Sequence, residues 1–230
     1  TSVNVFGFDW LLQFASVSVL FTAFAVGGVA NAINIIDGLN GLASSMVLWA
    51  LLGVAALAAT LGDNMLASTC LMIAACVLGF FLVNWPFGKL FLGDGGSYFL
   101  GFLLAWACVL LIERHAAVSA FAALLVCIHP ITEVLYSAYR RKVRQQNPSH
   151  PDRLHLHSLV KRRVMQRMLP HSSKTVRNSV GGIMVGCITL VPAIAMQFTY
   201  VSTFFSLVAV LGFVLGYLWL FKRIVRKFGK

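Results

Sequence analysis

The chain has 230 residues, 59% of them apolar and only 11% charged, with a mean hydropathy of +0.85. Soluble domains carry about 25% charged residues, so this composition excludes an ordinary water-soluble protein and, equally, a disordered one. Eighteen Lys and Arg against seven acidic residues leave a net charge of +11. The cations gather in two stretches between apolar blocks instead of spreading over a folded surface, which points to a membrane and away from nucleic acid. Five cysteines, Cys70, Cys76, Cys108, Cys127 and Cys187, all lie inside apolar stretches without paired spacing and read as small hydrophobes.

A hydrocarbon core about 30 Å thick takes about 20 apolar helical residues. Seven segments qualify in chain order: 11–30, 43–61, 65–84, 98–112, 116–137, 180–197 and 203–221. This predicts an all-α, polytopic transmembrane helical bundle, a single membrane-embedded domain over residues 1–230 without internal repeats. Its connections on one side are loops 31–42, 85–97 and 138–179 and a basic tail, 222–230. Within the long connection, Leu156 to Leu169 reads as an amphipathic basic helix lying on the headgroups. Seventeen of the eighteen Lys and Arg fall in this set of connections and only Arg114 in the opposite set, so these loops and the C-terminus are expected in the cytoplasm.

The loops expected on that side have an unusual composition. Asn31-Ala-Ile-Asn34-Ile-Ile-Asp37-Gly38-Leu-Asn40-Gly41 repeats polar residues at steps of three, placing Asn31, Asn34 and Asp37 on one helix face. Asn84-Trp-Pro-Phe-Gly-Lys-Leu-Phe91-Leu-Gly-Asp94-Gly-Gly-Ser97 sets a carboxylate among glycines just before a span. Backbone N–H groups at such a helix start favour an anion. In Asp152-Arg153-Leu-His155-Leu-His157, alternation projects Arg153, His155 and His157 together if the segment is extended. Separated carboxylates, amides, glycine turns and an Arg/His cluster suit a phosphorylated substrate whose charge is shared by Mg²⁺ and cationic side chains. Zinc is disfavoured because no cysteine lies near the histidines.

These three motifs resemble those of the polyprenyl-phosphate N-acetylhexosamine-1-phosphate transferases, glycosyl transferase family 4. The Asp37 loop is similar to the family's Asn-x-x-Asn-x-x-Asp-Gly-x-Asp/Asn-Gly motif, and Phe91-Leu-Gly-Asp94-Gly-Gly-Ser97 to its Phe-x-Gly-Asp-x-Gly-Ser motif. Asp152-Arg153-Leu-His155-Leu-His157 resembles its His-x-His-His loop. The resemblance implies a multi-pass enzyme of the bacterial inner membrane with a cytoplasmic site. It would transfer a sugar-1-phosphate from a UDP-sugar to undecaprenyl phosphate, releasing UMP, with Mg²⁺ or alternatively Mn²⁺. Carried over by position, Asp94 and Asp37 become metal ligands and, with His155 and His157, catalytic residues. Asn31, Asn34, Asn40, Asn84, Phe91 and Arg153 become substrate-binding. A homodimer is compatible with the family, although no interface signal stands in the sequence. The sequence departs from the family pattern at Asn40, where many relatives have Asp, at Ser158 in place of the last His, and at Glu133 in place of Asp. The family's earlier Asp-Asp motif has no match here. Together with Thr1 at the start, this reads as an N-terminal part lying outside the chain, which alone is not expected to turn over.

Blander readings compete. Asp94 alone fits a helix N-cap, Asn31 can satisfy backbone at a helix end, and Arg140, Arg141, Lys142 and Arg144 read as headgroup contacts. His129 and Glu133, four apart, read as a structural pair facing each other. The tryptophans, Trp85 included, read as interface or packing residues, and Gly27-Gly28 and Gly181-Gly182 as close helix contacts. An ion-coupled transporter using Asp37, Asp94 and Glu133 is the rival class, and a lipid-binding scaffold a third. A transporter would seat its ionisable residues near the midplane of broken, repeated helices.

Overall fold

The computed structural model describes residues 8–145 and 154–227. Helices carry the chain, and no strand occurs among the described residues. A short α1 (Phe8–Leu12) precedes α2 (Ala15–Ile36), α3 (Leu42–Thr60), α4 (Asn64–Asn84), α5 (Gly93–Arg114) and α6 (Ala120–Val143). Then come α7 (Leu156–Leu159), a π-helical stretch (Val160–Met165) and α8 (Gln166–Met168). The chain continues through α9 (Lys174–Gly186), a 3-10 turn (Cys187–Thr189), α10 (Leu190–Thr199) and α11 (Thr203–Lys227). Among the described residues, seven helical segments are long and apolar enough to cross a bilayer, Lys174–Thr199 counting as one. In lipid every backbone polar group must be satisfied within the segment, and helices do this. The expected all-α polytopic bundle is therefore what forms, and the protein is a multi-pass membrane protein.

Several helices begin where a side-chain oxygen can take a free N–H. Asp63 accepts from Leu66 at 3.0 Å, Ser119 from Phe121 at 3.3 Å and Ser173 from Val176 at 3.2 Å. The central helix is α3, whose Met46, Val47, Leu51, Val54 and Ala58 are all buried. α4 packs against it and α11 against α6 and α10, forming outer walls that leave Leu71, Leu82, Phe205 and Leu215 exposed, faces suited to lipid. Between α2 and α5 the backbones nearly touch: a Cβ on Gly101 would lie 2.6 Å from the Ala30 Cα.

Several helices outrun their apolar stretches. α2 continues through Asn31 and Asn34 to Ile36, and α5 starts at Gly93, so Asp94 sits in its first turn. Asn34 finds partners on the facing helix, which lets α2 extend beyond its apolar residues. α6 reaches Val143, α11 reaches Lys227 and α9 begins at Lys174, so the 138–179 connection narrows and most of the 222–230 tail is helical. Long cationic side chains at such ends keep their charges at the interface while their stems pack. The apolar face of the Leu156–Leu169 stretch, expected on headgroups, packs on the protein. Its Leu156, Leu159, Val160 and Met165 are buried, with Met165 set against Gly181 of α9, so its apolar face is satisfied by protein.

At the end of the bundle away from Asp37, a buried Asp63 joins two turns. Arg114 Nε lies 2.9 Å and His115 Nε2 3.1 Å from its Oδ2. The Leu66 N–H, and then His115 and Arg114, hold this carboxyl below the usual range although burial opposes them.

Candidate active site

The antiparallel course of α2 and α5 brings the last turn of one beside the first turn of the other. Asp37 caps α2, its N–H bonded to the Asn34 carbonyl at 3.2 Å. Asn34 Nδ2 donates to Asp94 Oδ1 at 3.0 Å and to Ser97 Oγ at 2.9 Å, bridging the first two motifs. Burial, and then the charge of Asp94, raise the Asp37 carboxyl to about 6. The negative end of the α2 dipole adds to that repulsion, whereas Asp94 stands at the favourable positive end of α5. A cation between the two carboxylates would relieve it. Two carboxylates and an amide form an all-oxygen set, and among the described residues no group of three His, Cys, Asp or Glu is poised for a metal. Such a set fits Mg²⁺, which draws its remaining ligands from phosphates and water, and does not fit zinc.

The histidines reach this place through α6. Glu133, only 2% exposed, accepts from His155 Nδ1 at 3.0 Å and the Leu156 N–H at 2.8 Å on one oxygen. Tyr217 of α11 donates to the other at 2.6 Å. Thus anchored, the His155 and His157 rings stack with centroids 5.4 Å apart and planes 4° from parallel. His157 is buried with its ring against Gly38, where a Cβ would come within 2.5 Å of Nε2, so any side chain at position 38 would have to push the ring aside. Burial lowers His157 to about 4 despite the nearby Glu133. At neutral pH its ring is therefore uncharged, a hydrogen-bonding group and not a cation. His129 and Glu133 lie near enough to interact electrostatically but do not hydrogen-bond: His129 Nδ1 lies 3.4 Å from Thr189 Oγ1, and the Glu133 oxygens serve the loop and Tyr217.

Asn40 and Asn84 are each 6% exposed and bind the protein itself. The Asn84 Oδ1 accepts from the Gly41 N–H at 2.5 Å and its Nδ2 donates to the Leu90 carbonyl at 2.6 Å, so its amide ties the first two loops together. The Asn40 N–H donates to Asn178 Oδ1 at 3.1 Å, and its Nδ2 to Ser179 Oγ at 3.1 Å. Ser179 Oγ donates in turn to the Pro86 carbonyl, and Trp85 Nε1 to the Ser179 carbonyl at 3.0 Å. Asn178, Ser179 and Trp85 thus frame the site without having been singled out; an Asn-Ser pair at the start of an apolar span was the available signal. Gly181-Gly182 does permit a close contact, since a Cβ on Gly182 would strike the Asn40 carbonyl, whereas nothing lies within 4 Å of Gly27 or Gly28. Phe91 is 74% exposed and, with Asn40, Phe87, Lys161, Arg177 and Asn178, lines a cavity of about 380 Å³. Asn31 is exposed on α2, one turn before Asn34, while Arg153 lies outside the described residues.

Residues 1–112 match the family model described as Glycosyl transferase family 4. The chain is 34% identical over 139 residues to a probable undecaprenyl-phosphate N-acetylglucosaminyl 1-phosphate transferase of Bacillus subtilis, covering 59% of this chain and 38% of that protein. It is 32% identical to the undecaprenyl-phosphate alpha-N-acetylglucosaminyl 1-phosphate transferase of Thermotoga maritima, over 70% of this chain and 47% of that one. For the Escherichia coli K12 protein of the same description the identity is 28%, over 69% and 44%. The chain spans less than half the length of these curated relatives. The matched profile and the shared stretch with these transferases agree: the chain is similar to members of glycosyl transferase family 4.

Proposed function

We propose that this chain carries the site of an enzyme that transfers a sugar-1-phosphate of the N-acetylhexosamine type from a UDP-sugar to undecaprenyl phosphate. The lipid phosphate oxygen attacks the sugar-bearing phosphorus, the diphosphate P–O bond breaks, and UMP leaves. The observation that carries this reading is the meeting of Asp37, Asp94 and Asn34 at the ends of two antiparallel helices, beside the His155–His157 pair. The attacking phosphate is already anionic near neutral pH, so the barrier is largely charge repulsion. Asp94 and Asp37 would hold Mg²⁺, which when bound neutralises the diphosphate. Asn34 orients Asp94, Glu133 positions His155, and neutral His157 offers a hydrogen bond without a charge. The open face of Phe91 and the cations Lys161 and Arg177 of its cavity suit a nucleotide. An apolar cavity of about 310 Å³ walled by Phe21, Val29, Cys108 and Leu124 offers room of the kind an isoprenoid chain needs.

The basic loops support a cytoplasmic site in the bacterial inner membrane, with the C-terminus on the same side. Asp37 and Asp94 stand at helix ends, which favours the transferase over an ion-coupled transporter. The test is UMP release from a panel of UDP-sugars with undecaprenyl phosphate, with and without Mg²⁺, comparing the parent with Asp94→Asn. We expect release to need metal and lipid and to fall at least about a hundredfold in the variant, the scale of losing one electrostatic group at a reacting centre. Near-parental release from a folded Asp94→Asn protein overturns the assignment.

A further inference from the structure

Beyond the carboxylate site, we propose that this end of the bundle seats the phosphate headgroup of an anionic bilayer lipid in a basic pocket between α6, α11 and the Val160–Met165 stretch. The cavity, about 390 Å³, is lined by Arg140, Arg144, Arg163, Lys222 and Arg226 together with apolar and aromatic side chains, and among the described residues by no carboxylate. Arg144, Arg163, Lys222 and Arg226, converging from three elements, repel one another, so their convergence is suited to an anion. Two of the lining cations are aimed by the protein: Arg163 Nη1 donates to the Val225 carbonyl at 3.1 Å, and the Arg140 guanidinium lies 4.8 Å above the Phe221 ring and 5.2 Å from that of Tyr136. The apolar part of the wall suits the glycerol and first acyl carbons of a lipid, which a free anion lacks.

The pocket's level supports the same occupant. Arg223 lies 4.9 Å over the ring of Trp219, an exposed tryptophan on the same helix, and tryptophans of this kind sit at the headgroup layer. Basic pockets between spanning helices at that depth bind anionic headgroups. Since α6 and α11 also carry Glu133 and Tyr217, a seated headgroup braces the two helices that hold His155.

The test is native mass spectrometry of the purified protein with phosphatidylglycerol, cardiolipin or phosphatidylcholine, in the parent and in Lys222→Gln/Arg226→Gln. Both side chains are exposed, and the double variant should lose about thirtyfold in anionic-lipid retention, the loss expected of two interfacial cations. Arg144→Gln alone, at the exposed C-cap of α6, should lose about fivefold and serves if the double variant does not fold. The charge-matched Lys142→Gln/Arg167→Gln should change retention less than about threefold. Equal loss in that control, equal retention of phosphatidylcholine, or unchanged retention in both pocket variants overturns the proposal. Displacement by inorganic phosphate reassigns the pocket to free anions, and displacement by equimolar undecaprenyl phosphate reassigns it to the acceptor; either result also overturns it.

Discussion

Replacing Glu133 with Ala removes the common acceptor of the His155 ring, the Leu156 N–H and the Tyr217 hydroxyl. Hydrogen bonds to a charged group contribute about 1.5–3 kcal/mol each, but the three share one carboxylate and do not add. Removing one member of a buried charged cluster costs about 3–5 kcal/mol, and the lower figure is appropriate here because the freed His155 can turn to water. At about 1.4 kcal/mol per factor of ten, 3 kcal/mol raises the undocked population of the histidine segment by roughly 150-fold. Amide hydrogen exchange at Leu156 reads that population together with the loss of the amide's own acceptor, since its N–H donates to the Glu133 carboxylate. Glu133→Gln keeps one acceptor oxygen and should sit between, at roughly tenfold faster exchange, about 1.4 kcal/mol. If Leu156 exchange in Glu133→Ala stays within about threefold of the parent, the burial of Leu156 and His157 holds the segment, and Glu133 is not its anchor.

Three further outcomes follow from the same contacts. Gly38→Ala forces a methyl against His157 Nε2 and should cut UMP release at least about tenfold while the melting temperature changes little, because displacement of the ring is local. Asn84→Ala leaves the Gly41 N–H and the Leu90 carbonyl without their partner and should cost about 1–3 kcal/mol, read as a lower midpoint in thermal unfolding and faster proteolysis in the 85–92 segment. The third concerns pH. Asp63 has a folded pKa below its unfolded value near 3.9, so its contribution is complete above that value and is lost as pH falls through the lower folded one. Melting should therefore drop in acid below about pH 4, and Asp63→Asn should flatten that drop; an unchanged acid limb in the variant would rule the clasp out as its origin.

Where the helices run was readable because hydropathy alone dictates it in a bilayer, and the seven spans appear in order with shifted ends. The ends shifted for a reason hydropathy does not contain: Asn34 is polar in sequence, yet in space it meets Asp94 and Ser97, so the helix continues. Asp37, Asp94, His155 and His157 were visible as motifs because their spacing is local. What those motifs rest on was not visible. Glu133 lies 22 residues before His155 and 84 before its other partner Tyr217, so nothing nearby in the chain marks the tie. Similarly, Asn178 and Ser179 reach Asn40 across about 140 residues, and only the packed bundle brings them together. Asn84 shows the converse: a residue conspicuous in its motif proves to be a brace between loops, its amide engaged at both ends.

The near-contact of the α2 and α5 backbones at Gly101 and Ala30 has a consequence for life in membranes of differing thickness. Helices in a bilayer that is too thin or too thick tilt to match it. Independent tilts would carry Asp37, at the end of one rod, away from Asp94, at the start of the other. With no side chain between them at the crossing, the two rods tilt as one lever, and the spacing of the carboxylates travels with them unchanged. Adaptation falls instead to the outer helices α4 and α11, whose broad lipid faces carry no part of the carboxylate cleft. The chemistry is thereby insulated from changes in acyl-chain length, even though it is built at the very edge of the bilayer.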